Sequence, residues 1–220
     1  MSNKPKAFLF DLNGTMVDDM GYHLEVWDRI LNDDLKAGLS REEVKQQMYG
    51  KNGELLDRVF GKGVFGEEQV KEVSKKKEEL YQMLFRPHLK LIDGLEVLLE
   101  KAYRHKVSMA IGSAAMPFNI GFVIDNLFIR HYFSTIVSAD DVVESKPDPE
   151  VFLKAAMQLG VLPEDCVVFE DVPKGAEAAL NAGMKVVIVT TTHAPEEFEN
   201  YPNVLFFISD YTDPRLNELF

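Results

Sequence analysis

Short apolar runs that stop abruptly at polar residues constrain the fold of this chain more than any other feature. Residues 6–10 read KAFLF and are followed at once by the polar residues of segment 11–15. A short, continuous apolar run is typical of a strand buried on both faces of a parallel sheet. The same pattern recurs at residues 107–111, 135–137, 167–169 and 186–189 and, less clearly, at 205–208.

Helical periodicity separates these predicted strands. The helices are predicted over residues 94–105, 118–128, 149–160 and 174–182, with Gly183 ending the last of them. Strands that alternate with helices form right-handed crossovers around a parallel sheet, so we expect an α/β fold with a Rossmann-like core. Ligands bind at the carboxyl ends of the strands in such sheets, and the polar residues lie there.

Residues 16–88 interrupt this alternation. They are rich in charged residues and helix formers and contain no convincing strand. We therefore predict a helical cap at 16–88, inserted into a catalytic core made of residues 1–15 and 89–220. An insertion that follows the first strand would lie over the strand ends as a lid. The run Lys75, Lys76, Lys77 within it is interpreted as a solvated helix face.

Charge and cysteine content narrow the classes of function. The formal net charge of −12 argues against a nucleic-acid partner, because phosphate backbones are bound by clustered Lys and Arg. The single cysteine, Cys166, precedes an apolar run and is expected to enter a buried strand rather than to act as a reactive thiol. No secretory signal and no apolar run long enough for a membrane span are found, so we expect a cytoplasmic monomer without a membrane partner.

Two of the predicted strand ends carry acidic residues that suit phosphoryl chemistry. Asp11 follows the first strand, where a carboxylate can attack phosphorus and form an aspartyl phosphate, although Asp is also a common turn former. Glu170 and Asp171 follow another strand. Three carboxylates facing one another would repel unless a cation lay between them, and Mg²⁺ prefers such oxygen ligands.

Two further loops could bind the phosphoryl group itself. Ser113 and Ala114 precede a helix, whose N-terminal N–H groups favour anions, although Ser113 could equally be a simple N-cap. Lys146 precedes a proline-stiffened turn, and an inward ammonium would offset the repulsion between Asp11 and an incoming phosphate. A loop lysine taken alone is more often solvated. Each of these four sequence segments is weak evidence for a phosphoryl-transfer site when it is taken alone, but their combination is specific.

In order and approximate spacing, these pieces resemble the four motifs of the haloacid dehalogenase superfamily. The resemblance rests on segment 11–15 (DLNGT), Ser113, Lys146 before Pro147, and the Glu170-Asp171 pair. It extends over essentially the whole chain. The helical insert is similar to the cap of the β-phosphoglucomutase-like and small phosphosugar phosphatase group, and the expected substrate is a small phosphorylated metabolite.

The resemblance implies a role for each matching residue. Asp11 would be the nucleophile and a Mg²⁺ ligand, Asn13 would offer its backbone carbonyl to the metal, and Asp171 would be a direct ligand with Glu170 in or beside the coordination shell. Ser113 and Lys146 would hold the phosphoryl group. The substrate-binding residues of the cap would be Gly50, Lys51, Asn52, His23 and Lys77.

Asn13 departs from the family pattern. Phosphatases and mutases of the family carry an Asp there as general acid/base, and an amide cannot transfer a proton. Loss of general acid–base help of ~10²–10⁴-fold corresponds to roughly 3–5 kcal/mol of barrier. His23 is a candidate replacement, since an unperturbed imidazole titrates near neutral pH, but a packing or substrate-contacting role is favoured over it.

Four functions fit the sequence. The leading one is a Mg²⁺-dependent phosphatase, and the runner-up is a phosphosugar mutase. A phosphonoacetaldehyde-type C–P hydrolase would need Lys51 as a Schiff-base lysine, in a poorly matching context. A non-catalytic phosphometabolite binder would explain the loss of the acid/base carboxylate.

Overall fold

Six parallel strands form the sheet around which the protein is built. The computed structural model describes residues 4–220, so the first three residues of the predicted core segment 1–15 lie outside the described part. The strand order is β3-β2-β1-β4-β5-β6, and every pairing is parallel. The strands are β1 (Ala7–Phe10), β2 (Ser108–Gly112), β3 (Thr135–Val137), β4 (Cys166–Glu170), β5 (Lys185–Val189) and β6 (Val204–Ile208).

The chain divides into two compact units. One comprises Met1–Asp18 and Lys90–Phe220 and contains the sheet; the other, the inserted unit, is Asp19–Leu89. The sheet unit carries helices α5 (Leu95–Arg104), α6 (Pro117–Asn126), α7 (Glu150–Leu159) and α8 (Pro173–Asn181). The inserted unit carries α1 (Met20–Asp28), which continues as the π-helical segment Arg29–Asp34, and then α2 (Arg41–Gln47), α3 (Asn52–Phe60) and α4 (Glu67–Phe85).

Short 3-10 turns connect several of these elements. They are Arg86–His88, Arg130–Tyr132, Ala139–Asp141, Pro163–Asp165, Pro195–Phe198 and Pro214–Leu219. The predicted α/β fold with a Rossmann-like parallel sheet is confirmed, and each predicted strand and helix of the sheet unit is present with its ends shifted by at most two residues. Within residues 4–220, no helix is long and apolar enough to cross a membrane.

The two faces of the central strand bury different kinds of side chain. Ala7 and Leu9 face an aliphatic layer that includes Val168 and residues of α7 and α8. Phe8 and Phe10 face the other way and meet Phe169, with ring centroids 5.4 and 4.6 Å from it. Because both faces are covered, the strand is apolar throughout, and this explains the continuous run in the sequence.

Cys166 behaves as the sequence predicts. It is the first residue of β4 and is buried. Burial raises the pKa of its thiol to about 12, with the nearby acidic side chains of Asp165 and Glu164 acting in the same direction. A thiol in that state is a small packing group rather than a nucleophile.

The aromatic layer predicts a large loss of stability when it is truncated. Phe8→Ala removes a fully buried ring that contacts Phe10, Phe169 and Phe220. We expect the free energy of unfolding, measured by urea denaturation, to fall by about 3–5 kcal/mol. The matched control is Phe128→Ala, since Phe128 is 83% exposed and its truncation should cost no more than about 0.5 kcal/mol. Equal losses in the two variants would contradict this assignment of the core.

Candidate active site

The loop of residues 11–17, which carries Asp11 and is the predicted nucleophile loop, begins where β1 ends. The backbone N–H of Asp11 donates to the carbonyl of Phe169 at 3.0 Å, which extends the pairing with β4 by one residue. The loop then closes on itself through hydrogen bonds from Met16 N–H to Leu12 O and from Gly14 N–H to Val17 O, both 2.8 Å. Asn13 forms an isolated bridge with Val17. The side chain of Asp11 is therefore held at the carboxyl edge of the sheet.

Lys146 forms the central contact of the site. Its Nζ donates to Asp11 Oδ1 and to Glu170 Oε1, each at 2.6 Å, although these residues come from three separate parts of the chain. Its side chain is 9% exposed, so it is not a solvated loop lysine. Burial lowers the pKa of Lys146, but the charges of Asp11 and Glu170 outweigh burial and raise it well above its usual value.

The loop that carries Lys146 is held by hydrogen bonds on both sides of the lysine. The Lys146–Pro147 peptide bond is cis, and the carbonyl of Pro147 accepts a hydrogen bond of 3.0 Å from Asn181 Nδ2 on α8. Upstream, Glu150 Oε2 accepts from the backbone N–H of Val143 at 2.7 Å. These contacts explain how a loop residue directs its ammonium inward.

Glu170 is the last residue of β4 and is fully buried. Its Oε2 accepts from the backbone N–H groups of Asp171 and Val172, at 2.9 and 3.2 Å, while Oε1 accepts from Lys146. A Cβ at Gly175 would lie 1.9 Å from its carboxyl carbon. Burial raises the pKa of Glu170 and the charge of Asp11 adds to this effect, whereas Lys146 opposes it.

Asp171 lies beside this group but has different partners. Thr15 Oγ1 donates to its Oδ1 at 3.0 Å, and Thr192 Oγ1 donates to its Oδ2 at 2.5 Å. Burial, followed by the charges of Glu170 and Asp11, raises the pKa of Asp171 well above its usual value. The side chain is therefore surrounded by negative charge that the described residues offset only in part.

The charges of this cluster do not balance. Asp11, Glu170 and Asp171 are all buried, and Lys146 is the single cation among their ion-pair partners within residues 4–220. A buried carboxylate without a counter-charge is costly and either binds a proton or recruits a cation. No group of three or more His, Cys, Asp and Glu side chains in the described chain is arranged to hold a metal ion unaided.

Ser113 and Ala114 lie at the neighbouring strand end. Ser113 follows β2, which pairs with β1 through Phe10 and Ile111. Its backbone N–H donates to Val137 O at 3.0 Å, and its hydroxyl accepts from Ala115 N–H at 3.2 Å. The hydroxyl is thus held locally, in the turn that leads to α6, and no described contact joins it to Lys146.

In the inserted unit, Lys77 corrects the interpretation of the three-lysine run. Lys75 and Lys76 are exposed, but Lys77 is only 4% exposed. Its Nζ lies 2.7 Å from His23 Nδ1 and 3.0 Å from both carboxyl oxygens of Glu78. Burial lowers the pKa of Lys77, and Glu78 opposes that shift. Lys77 shares the buried face of α4 with Ser74, Glu78 and Tyr81, so helical periodicity separates it from Lys75 and Lys76, although its charge suggested a solvated face.

His23 is held in one orientation by its neighbours. Nδ1 of His23 lies 2.7 Å from Lys77 Nζ, and Nε2 lies 3.4 Å from Asp19 Oδ2. When Lys77 is an ammonium it can only donate, so Nδ1 then accepts and the ring hydrogen lies on Nε2. The ring stacks on Tyr81 with centroids 3.9 Å apart, and Tyr81 donates to Asp19 at 2.5 Å. This arrangement favours a structural or binding role for His23 over that of an acid/base, because both of its ring nitrogens already face partners.

The three remaining cap residues predicted to bind substrate occupy one turn. Gly50 has a φ of +71°, which favours glycine, and Lys51 is the N-cap of α3, its backbone N–H donating to Glu54 Oε2 at 3.0 Å. Asn52 Nδ2 donates to Glu78 Oε1 at 2.8 Å. Asn52 therefore joins His23 and Lys77 through Glu78.

Several residues of these clusters were not anticipated from the sequence. In the sheet unit they are Thr15, Thr191 and Thr192; in the inserted unit they are Asp19, Glu78, Tyr81 and Arg58, whose guanidinium donates to the carbonyls of Gln47 and Tyr49, both at 2.6 Å. Thr15 follows β1 whereas Thr191 and Thr192 follow β5, so all three obey the rule that polar residues at strand ends form the site. Asp19 lies one helical turn before His23, and Glu78 and Tyr81 share the buried face of α4 with Lys77, so helical spacing could have indicated these three residues. The contacts of Arg58 with the carbonyls of Gln47 and Tyr49 leave no such signal.

Comparison with known proteins assigns the family. A sequence model of the haloacid dehalogenase-like hydrolases matches residues 8–189. The chain is 30% identical over 197 residues to fructose-1-phosphate phosphatase YqaB of Escherichia coli, covering 86% of this chain and 98% of the relative. It is 31% identical over 202 residues to β-phosphoglucomutase of Bacillus subtilis, with 83% and 82% covered.

A solved structure agrees with this assignment. A family IA, variant 3 hydrolase from Entamoeba histolytica superimposes with a TM-score of 0.86 at 27% identity, covering 97% of both chains. The chain belongs to the haloacid dehalogenase-like hydrolases, and the resemblance to their β-phosphoglucomutase-like and sugar phosphatase members is confirmed. It is an enzyme of the phosphatase type, with a mutase as the alternative.

The close approach of Gly175 to Glu170 yields a stability test. Gly175→Ala would force the added Cβ against the Glu170 carboxyl group and should destabilise the protein by about 1–3 kcal/mol in urea denaturation. Gly21→Ala is the matched control, because Gly21 is also helical and its Cβ would meet nothing within 4 Å. That control should be neutral or stabilising by up to about 1 kcal/mol. A neutral Gly175→Ala would show that Glu170 is not confined as described.

Proposed function

We propose that this protein is a Mg²⁺-dependent phosphatase of small phosphorylated metabolites, sugar phosphates among them, with Asp11 as the nucleophile. The observation that carries the proposal is the contact of Lys146 with Asp11 and Glu170, each at 2.6 Å, beside the buried Asp171. Phosphoryl transfer relies on positioning and on electrostatic stabilisation, and this cluster offers both. The phosphatase relatives support the choice of reaction.

The donor set of the site fits a magnesium ion. Asp11, Asp171 and the backbone carbonyl of Asn13 would hold it, with Glu170 in or beside the coordination shell. These are the hard oxygen ligands that Mg²⁺ prefers, and Mg²⁺ needs few protein carboxylates because it retains waters and binds substrate phosphate. The excess of buried carboxylates over Lys146 supports a divalent cation. When bound, Mg²⁺ would neutralise charge on the phosphoryl oxygens.

The protein groups then divide the reaction into two displacements. A carboxylate oxygen of Asp11 attacks phosphorus, the bond from phosphorus to the substrate oxygen breaks, and an aspartyl phosphate forms. Lys146 offsets the negative charge that gathers near Asp11 during the attack. Ser113 and the backbone N–H of Ala114, at the start of the turn into α6, hold the phosphoryl oxygens. Water then attacks the same phosphorus, which releases phosphate and regenerates Asp11.

Asn13 limits the rate of both displacements. Its amide can neither protonate the departing substrate oxygen nor take a proton from the attacking water. His23 is held by Lys77 and Asp19 and is not proposed as a replacement. Leaving groups that need no protonation should therefore react best, and hydrolysis of the aspartyl phosphate should be slow.

The inserted unit is proposed to recognise the part of the substrate that does not react. His23, Lys77 and Asn52 form one connected group through Glu78, and Gly50 and Lys51 form the turn next to Asn52. A lysine and an amide are suitable donors for substrate hydroxyl or phosphate oxygens. The substrate oxygens that these donors bind would determine which metabolite the enzyme prefers.

The principal test is a phosphate-release screen over a panel of sugar phosphates and other phosphometabolites. We expect release that depends on Mg²⁺, stops with a chelator, and is lost in Asp11→Asn. Lys146→Met should lower kcat by at least about 10²-fold, since it removes the cation beside the nucleophile. Lys71→Met is its control, because Lys71 forms an ion pair with Glu68 in which both side chains are exposed.

Other outcomes of this screen would identify the alternatives. Conversion of a sugar phosphate to its positional isomer without phosphate release would indicate a mutase, the activity named for the Bacillus subtilis relative. Saturable binding of a phosphometabolite without either reaction would indicate a non-catalytic binder. Release that survives in Asp11→Asn would overturn the assigned nucleophile.

A second prediction concerns Asn13. During turnover of the wild-type protein, we expect labelled phosphate to accumulate on the protein, because dephosphorylation lacks a general base. Asn13→Asp should raise kcat by ~10²–10⁴-fold and reduce the trapped label. Quenched-flow with labelled substrate measures both quantities. Asn13→Gln controls for the change of side chain without adding a proton-transfer group, and an unchanged rate in Asn13→Asp would contradict the proposal.

A further inference from the structure

Three consecutive threonines follow β5, and each hydroxyl donates to a different part of the sheet unit. Thr190 donates to the carbonyl of Ile208 at 3.2 Å, on the neighbouring strand β6. Thr191 donates to the carbonyl of Gly14 at 2.5 Å, in the nucleophile loop. Thr192 donates to Asp171 Oδ2 at 2.5 Å. Thr191 and Thr192 therefore connect the segment after β5 to the loop after β1 and to Asp171 after β4.

The carboxylate of Asp171 is bound from both sides by hydroxyl groups. Thr15 donates to Oδ1 at 3.0 Å and Thr192 to Oδ2, and Asp171 forms no ion pair with any residue in the described part of the chain. Rotation of an Asp carboxyl about its last bond is otherwise poorly restricted. Two donors on different oxygens fix the plane of the group, and each oxygen keeps lone-pair capacity for another partner.

The neighbours of Thr192 determine where its single hydroxyl hydrogen points. Three acceptors or potential acceptors surround Oγ1: Asp171 Oδ2 at 2.5 Å, His193 Nδ1 at 2.9 Å and the Asp171 carbonyl at 3.0 Å. The carboxylate oxygen is both nearest and charged, and it forms the strongest hydrogen bond. With that hydrogen directed at Asp171, the contact with His193 is a hydrogen bond only in the tautomer that carries a hydrogen on Nδ1.

Close packing removes the remaining freedom of this carboxylate. A Cβ at Gly14 would lie 2.2 Å from Asp171 Oδ2, so the backbone of the nucleophile loop lies directly against the acid. Thr191 holds that loop through the Gly14 carbonyl, and Tyr211 holds it through Thr15 O at 2.9 Å. The orientation of Asp171 is therefore determined by the threonine run and the nucleophile loop together.

We propose that Thr192 is a positioning residue that orients Asp171 for a divalent cation, with Thr15 as its counterpart on the other oxygen. The inference rests on the proposed Mg²⁺-dependent function. Residues that form hydrogen bonds to a metal ligand, without binding the metal themselves, typically weaken metal affinity by ~10–100-fold when they are removed. The hydroxyl of Thr192 contacts Asp171 and His193, so its expected contribution is to metal affinity rather than to the chemical step.

The experiment measures Mn²⁺ binding by electron paramagnetic resonance of the free ion, with the full-length protein and no substrate. Thr192→Val keeps the shape of the side chain but removes the hydroxyl, and we expect the Kd for Mn²⁺ to rise at least about 10-fold. Thr192→Ser keeps the hydroxyl and should retain most of the affinity. Thr190→Val removes a hydroxyl from the same run that does not contact Asp171, and it should bind Mn²⁺ like the wild type.

A kinetic measurement checks the same point. In Thr192→Val the Mg²⁺ concentration needed for half-maximal phosphate release should rise by the same factor, while kcat at saturating Mg²⁺ recovers. Thermal unfolding should give similar Tm values for Thr192→Val and Thr190→Val. If Thr192→Val does not fold, Thr192→Ala removes the same hydroxyl without adding a methyl group and carries the same expectation.

The outcomes separate this inference from the function on which it rests. If the wild-type protein binds no Mn²⁺, the proposed metal dependence fails. If the wild type binds Mn²⁺ and Thr192→Val binds it equally well, only the role of Thr192 is overturned. If Thr190→Val and Thr192→Val lose affinity together with Tm, the threonine run is structural and the role of Thr192 is likewise overturned.

Discussion

A buried ammonium between two buried carboxylates is the interaction on which the rest of the sheet unit depends. Lys146 contacts Asp11 and Glu170 at 2.6 Å, and all three side chains are almost removed from water. Without the lysine, the two acids would face each other in a medium that screens charge poorly. The carboxyl edge of the sheet can hold acidic residues at adjacent strand ends because this cation is placed between them.

The packing around this ion pair leaves little freedom to its members. Backbone N–H groups fix Glu170, threonine hydroxyls fix Asp171, and Gly14 and Gly175 lie where any larger residue would collide with these acids. Preorganised charges of this kind stabilise charge that develops during a reaction without having to rearrange. The aromatic and aliphatic layers of the sheet support the arrangement, since they fix the strand ends from which the site is built.

The inserted unit also contains a buried lysine, Lys77, but the charges of its partners differ from those around Lys146. Lys77 contacts one carboxylate, that of Glu78, and an imidazole, whereas Lys146 contacts two carboxylates. Burial consequently dominates at Lys77 and lowers its pKa, while the acids dominate at Lys146 and raise it. Two lysines that are both buried thus differ in how firmly they hold a proton.

Local sequence determined the alternation of strands and helices, because continuous apolar runs and helical periods are properties of neighbouring residues. The polar residue after each run also placed Asp11, Ser113, Glu170 and Asp171 at the carboxyl edge of the sheet in advance. The tertiary structure alone decided which side chains meet. Lys77 is buried although its two predecessors are exposed, and Thr192 reaches Asp171 across 21 residues. The position of Lys77 on the buried face of α4 follows helical periodicity, but its contact with His23 and the contact of Thr192 with Asp171 depend on packing between distant segments, which leaves no periodic trace in the chain.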